Sequence, residues 1–480
     1  MMMATAIPMA RRCPPARTSR PGSGPRIARN APSRCSTRAG RKFAESCQES
    51  GEGSARWPVL WPVTSLVTGG ELIMAAVASA IPPSIPAHVP KSLVFDFDHF
   101  TAPETKSEPH RRVSQLLHKN APDVFYTPRN GGYWIVTRAE VAVDMLRQVE
   151  SFSSSPQFNH FKAFNPPMLP VQADPPEHTE YRRILNPKFA PGPVGKLEVY
   201  VRQLARTIID DVYPRGRCDF IEEVAERFPV TIFLKIAGAP LSDRARLVSI
   251  AVKYTRSPTF EERQEAISDM AAYLREKFRE RANAPKDDLL TQIVQARIPD
   301  RELTETEKEG LGVLLFFGGL DTVKSVLSFV VSYLAQHPED YKQLVDNPAL
   351  IKSAMEELMR VSGVSTPERG VTHDLEYRGI SFKKGDRIVF LTQLWGVDDQ
   401  QIPNPYQVDF SREVSQHYSF GAGPHRCIGS HLARLEVRVF LEEWTKTVKQ
   451  FSVENHVPVK TAGGVVWTPV VLPLTWPVAN

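Results

Sequence analysis

Cysteine is scarce in this chain, and the few cysteines are not arranged in pairs. Only five of the 480 residues are cysteine, and three of these, Cys13, Cys35 and Cys47, lie among the first fifty residues. The other two, Cys218 and Cys427, are far apart, and no CxxC spacing occurs. These features exclude a disulfide framework and a structural zinc site of the CxxC type.

Excess positive charge is confined to one segment. The formal net charge is +5, but residues 1–73 contain eleven basic and four acidic side chains, so the rest of the chain carries −2. A nucleic-acid-binding domain would carry its positive excess on the folded part. We therefore expect no nucleic-acid partner.

Large apolar residues are rare at the start of the same segment, which is rich in Pro, Gly, Ser and Arg. Residues 56–86 are more apolar but are repeatedly interrupted by Pro, Gly and Glu, so we predict no membrane helix. An Arg-rich start is compatible with an organelle transit peptide. The interpretation that we favour is a disordered or non-native extension over residues 1–73, with Met74 as the natural start and one domain over residues 74–480.

Helical patterns dominate from Val94 onward, with strand-like patches at "GGYWIVTR", "LEYRGISFKKGDRIVFL" and "VVWTPVVLPLTW". The predicted fold is mainly α with a small β portion. The longest predicted helix has Thr304 as N-cap, Glu307 as its capping-box partner, and an apolar run that ends before Pro338. About thirty residues at 1.5 Å each would cross the whole domain.

The middle of this helix reads "FFGGLDTV". Gly318 and Gly319 each cost about 1 kcal/mol relative to Ala in a helix interior, and Asp321 and Thr322 are polar in an apolar stretch. One interpretation is close helix packing at the glycines with a satisfied buried Asp. The other is a helix that lets a flat ligand approach its backbone, with an acid and a hydroxyl beside it. The stretch alone does not decide between them.

A second motif, F-G-x-G-x-H-x-C-x-G, runs from Phe420 to Gly429. Apolar residues recur with helical spacing after Cys427, which predicts that the thiol closes a glycine-rich loop and opens an amphipathic helix. Loop amides, the helix N-terminus, His425 and Arg426 would stabilise a thiolate. This favours a nucleophilic or a metal-ligating thiolate; a buried inert cysteine would not need so many glycines.

The Cys427 loop resembles the haem-binding loop of the cytochromes P450. Four further motifs of that family precede it in order: "HTEYR", "GGLDTV", "EELMR" and "VDFSREV". Longer matches, such as "ADPPEH", "KKGDRIV" and "LPLTW", resemble the bacterial camphor-hydroxylase family from about Val89 to Trp476. The resemblance implies the triangular, mainly helical cytochrome P450 fold around one haem b, and a ferredoxin-dependent monooxygenase.

The resemblance also implies roles for individual residues. Cys427 is the expected axial ligand of the haem iron, where thiolate donation favours O–O cleavage. Asp321 and Thr322 are the expected proton-delivery pair, with Arg256 as the partner of Asp321. Other expected haem contacts are His178, Arg182, Gly318, Arg369, Phe420 and His425. The expected structural ion network consists of Glu357, Arg360 and Arg412.

One departure concerns the substrate. The tyrosine that holds the ketone in the camphor enzyme aligns with Pro166, and the nearest aromatic residue, Phe164, has no hydroxyl. A mostly apolar pocket distinguishes substrates by shape. We expect a small hydrophobic substrate, either a terpenoid or norisoprenoid or a small aromatic or phenolic compound. The expected pocket residues are Phe164, Thr255, Leu314, Phe317, Ser365, Val465 and Val466.

Electrons are expected to come from outside, because no Cys cluster and no GxGxxG unit remains for a flavin or iron–sulfur domain in this chain. The resemblance implies a two-iron two-sulfur ferredoxin, itself reduced by a flavoprotein NAD(P)H reductase, with O2 as co-substrate. The ferredoxin is expected to dock near Cys427 on Arg138, Arg182, Arg426 and Arg434. We expect a cytoplasmic monomer.

Three alternatives remain at this point. A peroxygenase or isomerase on the same fold would not need the acid–hydroxyl pair, and neither would a haem-based sensor. A thiol hydrolase would need a His and an Asn or Asp close to Cys427.

Overall fold

The computed structural model describes residues 85–158, 163–413 and 417–478. The chain divides into two units, Met1–Val77 and Ala78–Asn480, and every described residue belongs to the second. The predicted extension over residues 1–73 therefore lies outside the described residues. Within them the expectation of a mainly α fold with a small β portion is confirmed.

Helices form most of the described chain. Their bounds are α1 Pro109–Asn120, α2 Ala139–Arg147, α3 Glu177–Phe189, α4 Pro191–Gly195, α5 Glu198–Val212, α6 Arg227–Ala237, α7 Arg244–Arg256, α8 Phe260–Asn283, α9 Leu289–Val294, α10 Glu305–Leu320, α11 Thr322–Gln336, α12 Pro338–Asp346, α13 Ile351–Arg360, α14 Thr392–Trp395 and α15 Ser430–Thr447.

The strands are short. Their bounds are β1 Val124–Thr127, β2 Tyr133–Val136, β3 Phe152–Ser153, β4 Arg217–Asp219, β5 Arg297–Ile298, β6 Arg301–Glu302, β7 Glu368–Val371, β8 Leu375–Tyr377, β9 Ile380–Phe382, β10 Arg387–Phe390, β11 Ser452–Val453, β12 Lys460–Ala462, β13 Thr468–Val471 and β14 Pro473–Thr475. The largest sheet has the order β1-β2-β10-β7-β3, in which only β2 and β10 pair in parallel. The three strand-like patches of the sequence contain β2, β8 to β10, and β13 with β14.

The predicted long helix begins after Thr304 and ends before Pro338, as the sequence indicates, but it consists of two helices, α10 and α11. The backbone N–H of Glu307 donates to Thr304 Oγ1 at 3.2 Å and that of Thr304 to Glu307 Oε2 at 2.7 Å, which completes the capping box. The expected continuous helix is wrong at Asp321, whose φ of −123° and ψ of −26° separate α10 from α11. The Thr322 hydroxyl donates to the Gly318 carbonyl at 2.6 Å and so competes with the helical hydrogen bonds at the break.

By length and composition alone, Glu305–Gln336 is apolar enough to cross a membrane, yet most of it is buried within the fold. Its apolar side chains belong to the main hydrophobic core, together with residues of α5, α6, α8 and α15. The helix pair therefore runs through the interior of the described fold and carries the "GGLDT" segment with it.

Candidate active site

A cavity of about 470 Å³ lies beside the break between α10 and α11. The Cys427 loop, α3, the start of α8, β7 and the loop before β13 form its other walls. It brings together most of the residues singled out from the sequence. Those in its lining are Phe164, His178, Arg182, Thr255, Leu314, Phe317, Gly318, Thr322, Ser365, Arg369, Phe420, His425, Cys427, Val465 and Val466.

Glycines shape the loop that carries Cys427. Gly421 and Gly423 have φ of 72° and 68°, and a Cβ on Gly423 would lie 2.5 Å from the Leu146 carbonyl oxygen. The Cys427 N–H donates to the Phe420 carbonyl at 2.9 Å. Cys427 is exposed and lines the cavity. Helix α15 begins at Ser430, so the expectation that Cys427 itself opens the helix is corrected by three residues.

The environment of the thiol does not suit a hydrolase. Burial raises the pKa of Cys427, although the Gly429 N–H and the charges of Arg182, Arg426 and Arg434 act in the opposite direction. No histidine, asparagine or acidic side chain within the described ranges hydrogen-bonds to its sulfur. A nucleophilic thiol needs such a base, whereas a metal ion removes the proton by coordination. The arrangement therefore favours the metal-ligating interpretation.

Four basic side chains line the cavity: His178, Arg182, Arg369 and His425. The two imidazole rings lie 4.2 Å apart. Burial, followed by the charges of Arg182 and Arg369, lowers the pKa of His178 to about 4. Burial, followed by the charges of Arg369, His178 and Arg182, lowers the pKa of His425 to about 2. Both imidazoles are therefore neutral near pH 7.

Two buried nitrogen atoms of this group, His178 Nε2 and Arg369 Nε, have no hydrogen-bond partner in the part of the chain that the structure describes. Burial also lowers the pKa of Arg369 to about 10. Leaving buried polar atoms unpaired is unfavourable by about 1–3 kcal/mol each. A ligand that places carboxylates beside His178 and Arg369 would pair with these atoms. Guanidinium groups bind carboxylates well.

The two glycines of "FFGGLDTV" have different roles, one in close helix packing and the other in leaving room for a flat ligand. A Cβ on Gly319 would lie 2.3 Å from the Phe233 ring, so Gly319 serves close packing. A Cβ on Gly318 would meet no atom within 4 Å, so Gly318 leaves room for a ligand at the cavity wall. Room for a flat group at Gly318, unpaired donors for two carboxylates and a thiol facing the cavity together fit the haem that the sequence resemblance implies.

Asp321 is fully buried and does not line the cavity. Its Oδ2 accepts a hydrogen bond of 2.9 Å from the Thr255 hydroxyl, and Thr255 does line the cavity. Lys324 Nζ lies 2.5 Å from Asp321 Oδ1, and Lys324 is 2% exposed. The expected pairing of Asp321 with Arg256 is therefore wrong. Lys324 lies one turn further along α11, and this position on the same helix brings its ammonium to the carboxylate.

Thr255 also joins this acid to the chain beyond β12. Its carbonyl oxygen accepts a hydrogen bond of 3.0 Å from the Val465 N–H. A Cβ on Gly464 would lie 2.4 Å from the same oxygen, so only glycine allows this approach. One residue thus contacts the acid, the cavity and the loop before β13.

Glu357 and Arg360 form a buried pair on α13, with two hydrogen bonds of 2.8 Å. The Arg412 Nε donates to Glu357 Oε1 at 3.0 Å, as does the Asp409 N–H. Arg360 also donates to the Pro405 carbonyl at 2.9 Å. The network thereby fixes the segment that leads into the Cys427 loop.

The four arginines expected to receive a redox partner differ in availability. Arg138 is 5% exposed and donates to Asp123, Asp398 and Asp399 at 2.9, 2.8 and 2.5 Å, so it cannot present charge to a partner. The expectation that Arg138 helps to bind the ferredoxin is therefore wrong. Arg434 donates to Glu356 at 2.6 Å, and Arg182 lines the cavity and donates to the Arg426 carbonyl. Arg426 itself is exposed.

Sequence reasoning missed four residues at this site: Tyr254, Phe260, Arg263 and Lys324. The first three line the cavity from the end of α7 and the start of α8. Lys324 had a signal, because a lysine three residues after an aspartate within an apolar run is typical of a buried pair. Tyr254, Phe260 and Arg263 had no such signal, since their spacing in the sequence is that of an ordinary helix pair.

The comparisons with known proteins agree with this geometry. A family model described as Cytochrome P450 matches residues 241–470. The chain is 34% identical over 400 residues to a probable cytochrome P450 127A1 of Sinorhizobium fredii, covering 81% of this chain and 96% of the relative. It is 31% identical over 318 residues to mycinamicin IV hydroxylase/epoxidase of Micromonospora griseorubida, covering 64% and 80%. The crystal structure of CYP101J2 superposes with a TM-score of 0.74 at 32% identity, covering 82% and 99%. The chain therefore belongs to the cytochrome P450 family and is an oxidoreductase of the monooxygenase class.

Proposed function

We propose that this enzyme hydroxylates a small hydrophobic substrate with O2, using haem b held by Cys427 and electrons from a two-iron two-sulfur ferredoxin. A flavoprotein NAD(P)H reductase would reduce the ferredoxin, and the enzyme would act as a cytoplasmic monomer without a flavin of its own. The observation that carries the proposal is Cys427, which lines a cavity where two buried nitrogen atoms, His178 Nε2 and Arg369 Nε, have no hydrogen-bond partner among the described residues.

Haem ligated by a thiolate supplies the activation of O2 and the insertion of one oxygen atom. The residues of this chain would hold it as follows. Cys427 would ligate its iron, and Gly318 and Phe420 would contact the haem. His178, Arg182, Arg369 and His425 are the proposed donors to its propionates.

Proton supply falls to the segment at the helix break. The Thr322 hydroxyl lines the cavity and donates to the Gly318 carbonyl, so its oxygen stays free to accept a hydrogen bond from water. Asp321 reaches the cavity only through Thr255, because its other oxygen is held by Lys324. We propose that Asp321 takes up protons from solvent and relays them through the Thr255 hydroxyl to the water held by Thr322, in a step of general acid catalysis.

The substrate would lie against the mostly apolar wall formed by Phe164, Leu314, Phe317, Val465 and Val466. Such a wall excludes water and orients the substrate by shape. For the redox partner, Arg426 is exposed and precedes Cys427 in the chain, and Arg147 is also exposed where the backbone of α2 approaches Gly423. An acidic ferredoxin surface would complement these charges.

The test is the spectrum of the reduced protein under carbon monoxide. The wild type should show the red-shifted Soret band of a thiolate-ligated haem, and Cys427→Ala should lose it. Cys218→Ala is the matched control, because Cys218 is buried on β4 outside the cavity lining. Loss of the band in the Cys218 variant would contradict the ligand assignment.

A second measurement separates a monooxygenase from a peroxygenase. The holoenzyme receives either NADH with ferredoxin, reductase and O2, or hydrogen peroxide alone. Product formation should depend on the redox partners. Equal or faster turnover with peroxide alone would overturn the proposed electron source.

A further inference from the structure

A column of four aromatic rings forms one wall of the cavity. Phe260 stacks on Phe164 with ring centres 4.9 Å apart and planes 5° apart, and Tyr254 stacks on Phe317 at 4.4 Å and 4°. Phe164 meets Tyr254 edge-on at 6.2 Å, which joins the two pairs. All four line the cavity. Aromatic rings pack favourably on other rings, so this wall favours a flat aromatic body over a globular aliphatic one.

One end of the column carries a buried positive charge. Arg263 lines the cavity, is 8% exposed and follows Phe260 by one turn of α8. Its Nε donates to the Thr259 carbonyl at 3.2 Å, and its guanidinium lies 5.7 Å from the centre of the Phe100 ring. No carboxylate of the described chain forms an ion pair with it.

Glu368 lines the same cavity and interacts electrostatically with Arg263, but its hydrogen bonds come from another arginine. Glu368 accepts hydrogen bonds from Arg387 Nε at 2.9 Å and from Arg387 Nη2. These two charges cancel, so the group of Arg263, Glu368 and Arg387 retains one positive charge. The position is unfavourable for a cation, because the N-terminus of α8 begins at Phe260 and a helix N-terminus is itself positive. A buried charge without a counter-ion is costly.

We propose that the substrate is a small aromatic carboxylate, whose carboxylate binds Arg263 and whose ring system packs along the column. This inference rests on the proposed function and narrows its substrate class. A carboxylate supplies the missing negative charge and matches the planar fork of a guanidinium. The column leads from Phe260, near Arg263, to Phe317, which is adjacent to Gly318 in α10. The end of the substrate remote from its carboxylate is therefore the end that is oxidised.

The experiment compares a charged probe with its neutral isostere. The affinities of the holoenzyme for 2-naphthoate and 2-naphthamide are measured by titration calorimetry, and the haem spin-state shift is recorded in parallel. The wild type should bind the carboxylate more tightly. Arg263→Gln should weaken naphthoate binding by about 10-fold to 100-fold, the usual range for a hydrogen-bonded charge, and change naphthamide binding by less than about 3-fold.

Two further variants make the result specific. Arg263→Lys keeps the charge but loses the fork, so it should recover part of the lost affinity. Arg279→Gln removes an exposed arginine from the same helix and should leave both affinities unchanged. Equal affinity of the wild type for the two probes, no binding of naphthoate, or equal losses for both probes in Arg263→Gln would overturn the inference. Failure of the proposed function is seen separately, as absence of the carbon monoxide band before any probe is added.

Discussion

Replacing Lys324 by methionine removes the only ion-pair partner that the described residues give to Asp321. Methionine has nearly the length of the lysine side chain, so the packing around residue 324 changes little. Asp321 stays fully buried and keeps only the hydrogen bond from Thr255. The variant therefore isolates the effect of stranding a buried carboxylate.

The magnitude follows from the burial of both partners. Removing one member of a pair in which both residues are at most 2% exposed destabilises the fold by about 3–5 kcal/mol. The unit Ala78–Asn480 has about 400 residues, and an unfolding entropy of about 2 cal/mol/K per residue converts this loss to a Tm lower by about 4–6 °C. Adding Asp321→Asn to the same variant removes the stranded charge and should restore most of the loss.

The assay is thermal unfolding of the four holoproteins of this cycle, followed by circular dichroism: wild type, Lys324→Met, Asp321→Asn and the double variant. The two single changes should be strongly non-additive, because the residues form one pair. The double variant should regain stability without regaining turnover, since the acid is gone. A Tm of Lys324→Met within about 1 °C of the wild type, or no recovery in the double variant, would refute the ion pair as an energetic unit.

Three other outcomes are expected. Thr322→Ala should still consume NADH but form less product per NADH and release more hydrogen peroxide, because the proton-donating water is poorly held. Measuring NADH, product and peroxide in the same reaction tests this. Product formation equal to NADH consumption would contradict it. Arg360→Met should lower haem content, measured by pyridine haemochromogen, more than Arg412→Met does, because its side chain is 2% exposed and that of Arg412 is 20%. Equal losses would show that burial does not set the contribution. Deleting residues 1–73 should leave haem content and the carbon monoxide band unchanged, because every proposed site residue lies later in the chain, and a haem-free product would show that the extension is needed.

Local signals in the sequence predicted those parts of the fold that depend on neighbouring residues. The capping box at Thr304 needs only the residue three positions later, and the strand patches need only their own alternation. The break at Asp321 was missed because an apolar run looks the same whether or not its backbone ladder is interrupted. At the break the Thr322 hydroxyl bonds to the Gly318 carbonyl, a contact that the apolar pattern does not signal.

The candidate site was predicted where a motif fixes several residues at once, as in the Cys427 loop. Single cations were placed less well. Arg138 looks like a surface arginine until Asp398 and Asp399, about 260 positions away, are brought to it by the fold. Arg256 and Lys324 were both available to Asp321, and only the geometry of α11 selects the lysine. Such choices depend on long-range packing, which a single sequence does not encode in any local pattern.

Thr255 gives the wall of the substrate cavity and the acid behind it a shared side chain. A protein engineer who varies this position to admit a new substrate therefore also alters how Asp321 is held. Variants at Thr255 that bind a new substrate more tightly would therefore be expected to release more hydrogen peroxide per NADH consumed. Leu314 and Val466 line the same cavity with apolar side chains that cannot hydrogen-bond to Asp321, so variation at these two positions leaves the side-chain partners of the acid in place. New substrate preferences are thus more accessible, to selection and to design alike, through the aliphatic part of the wall than through the Thr255 hydroxyl.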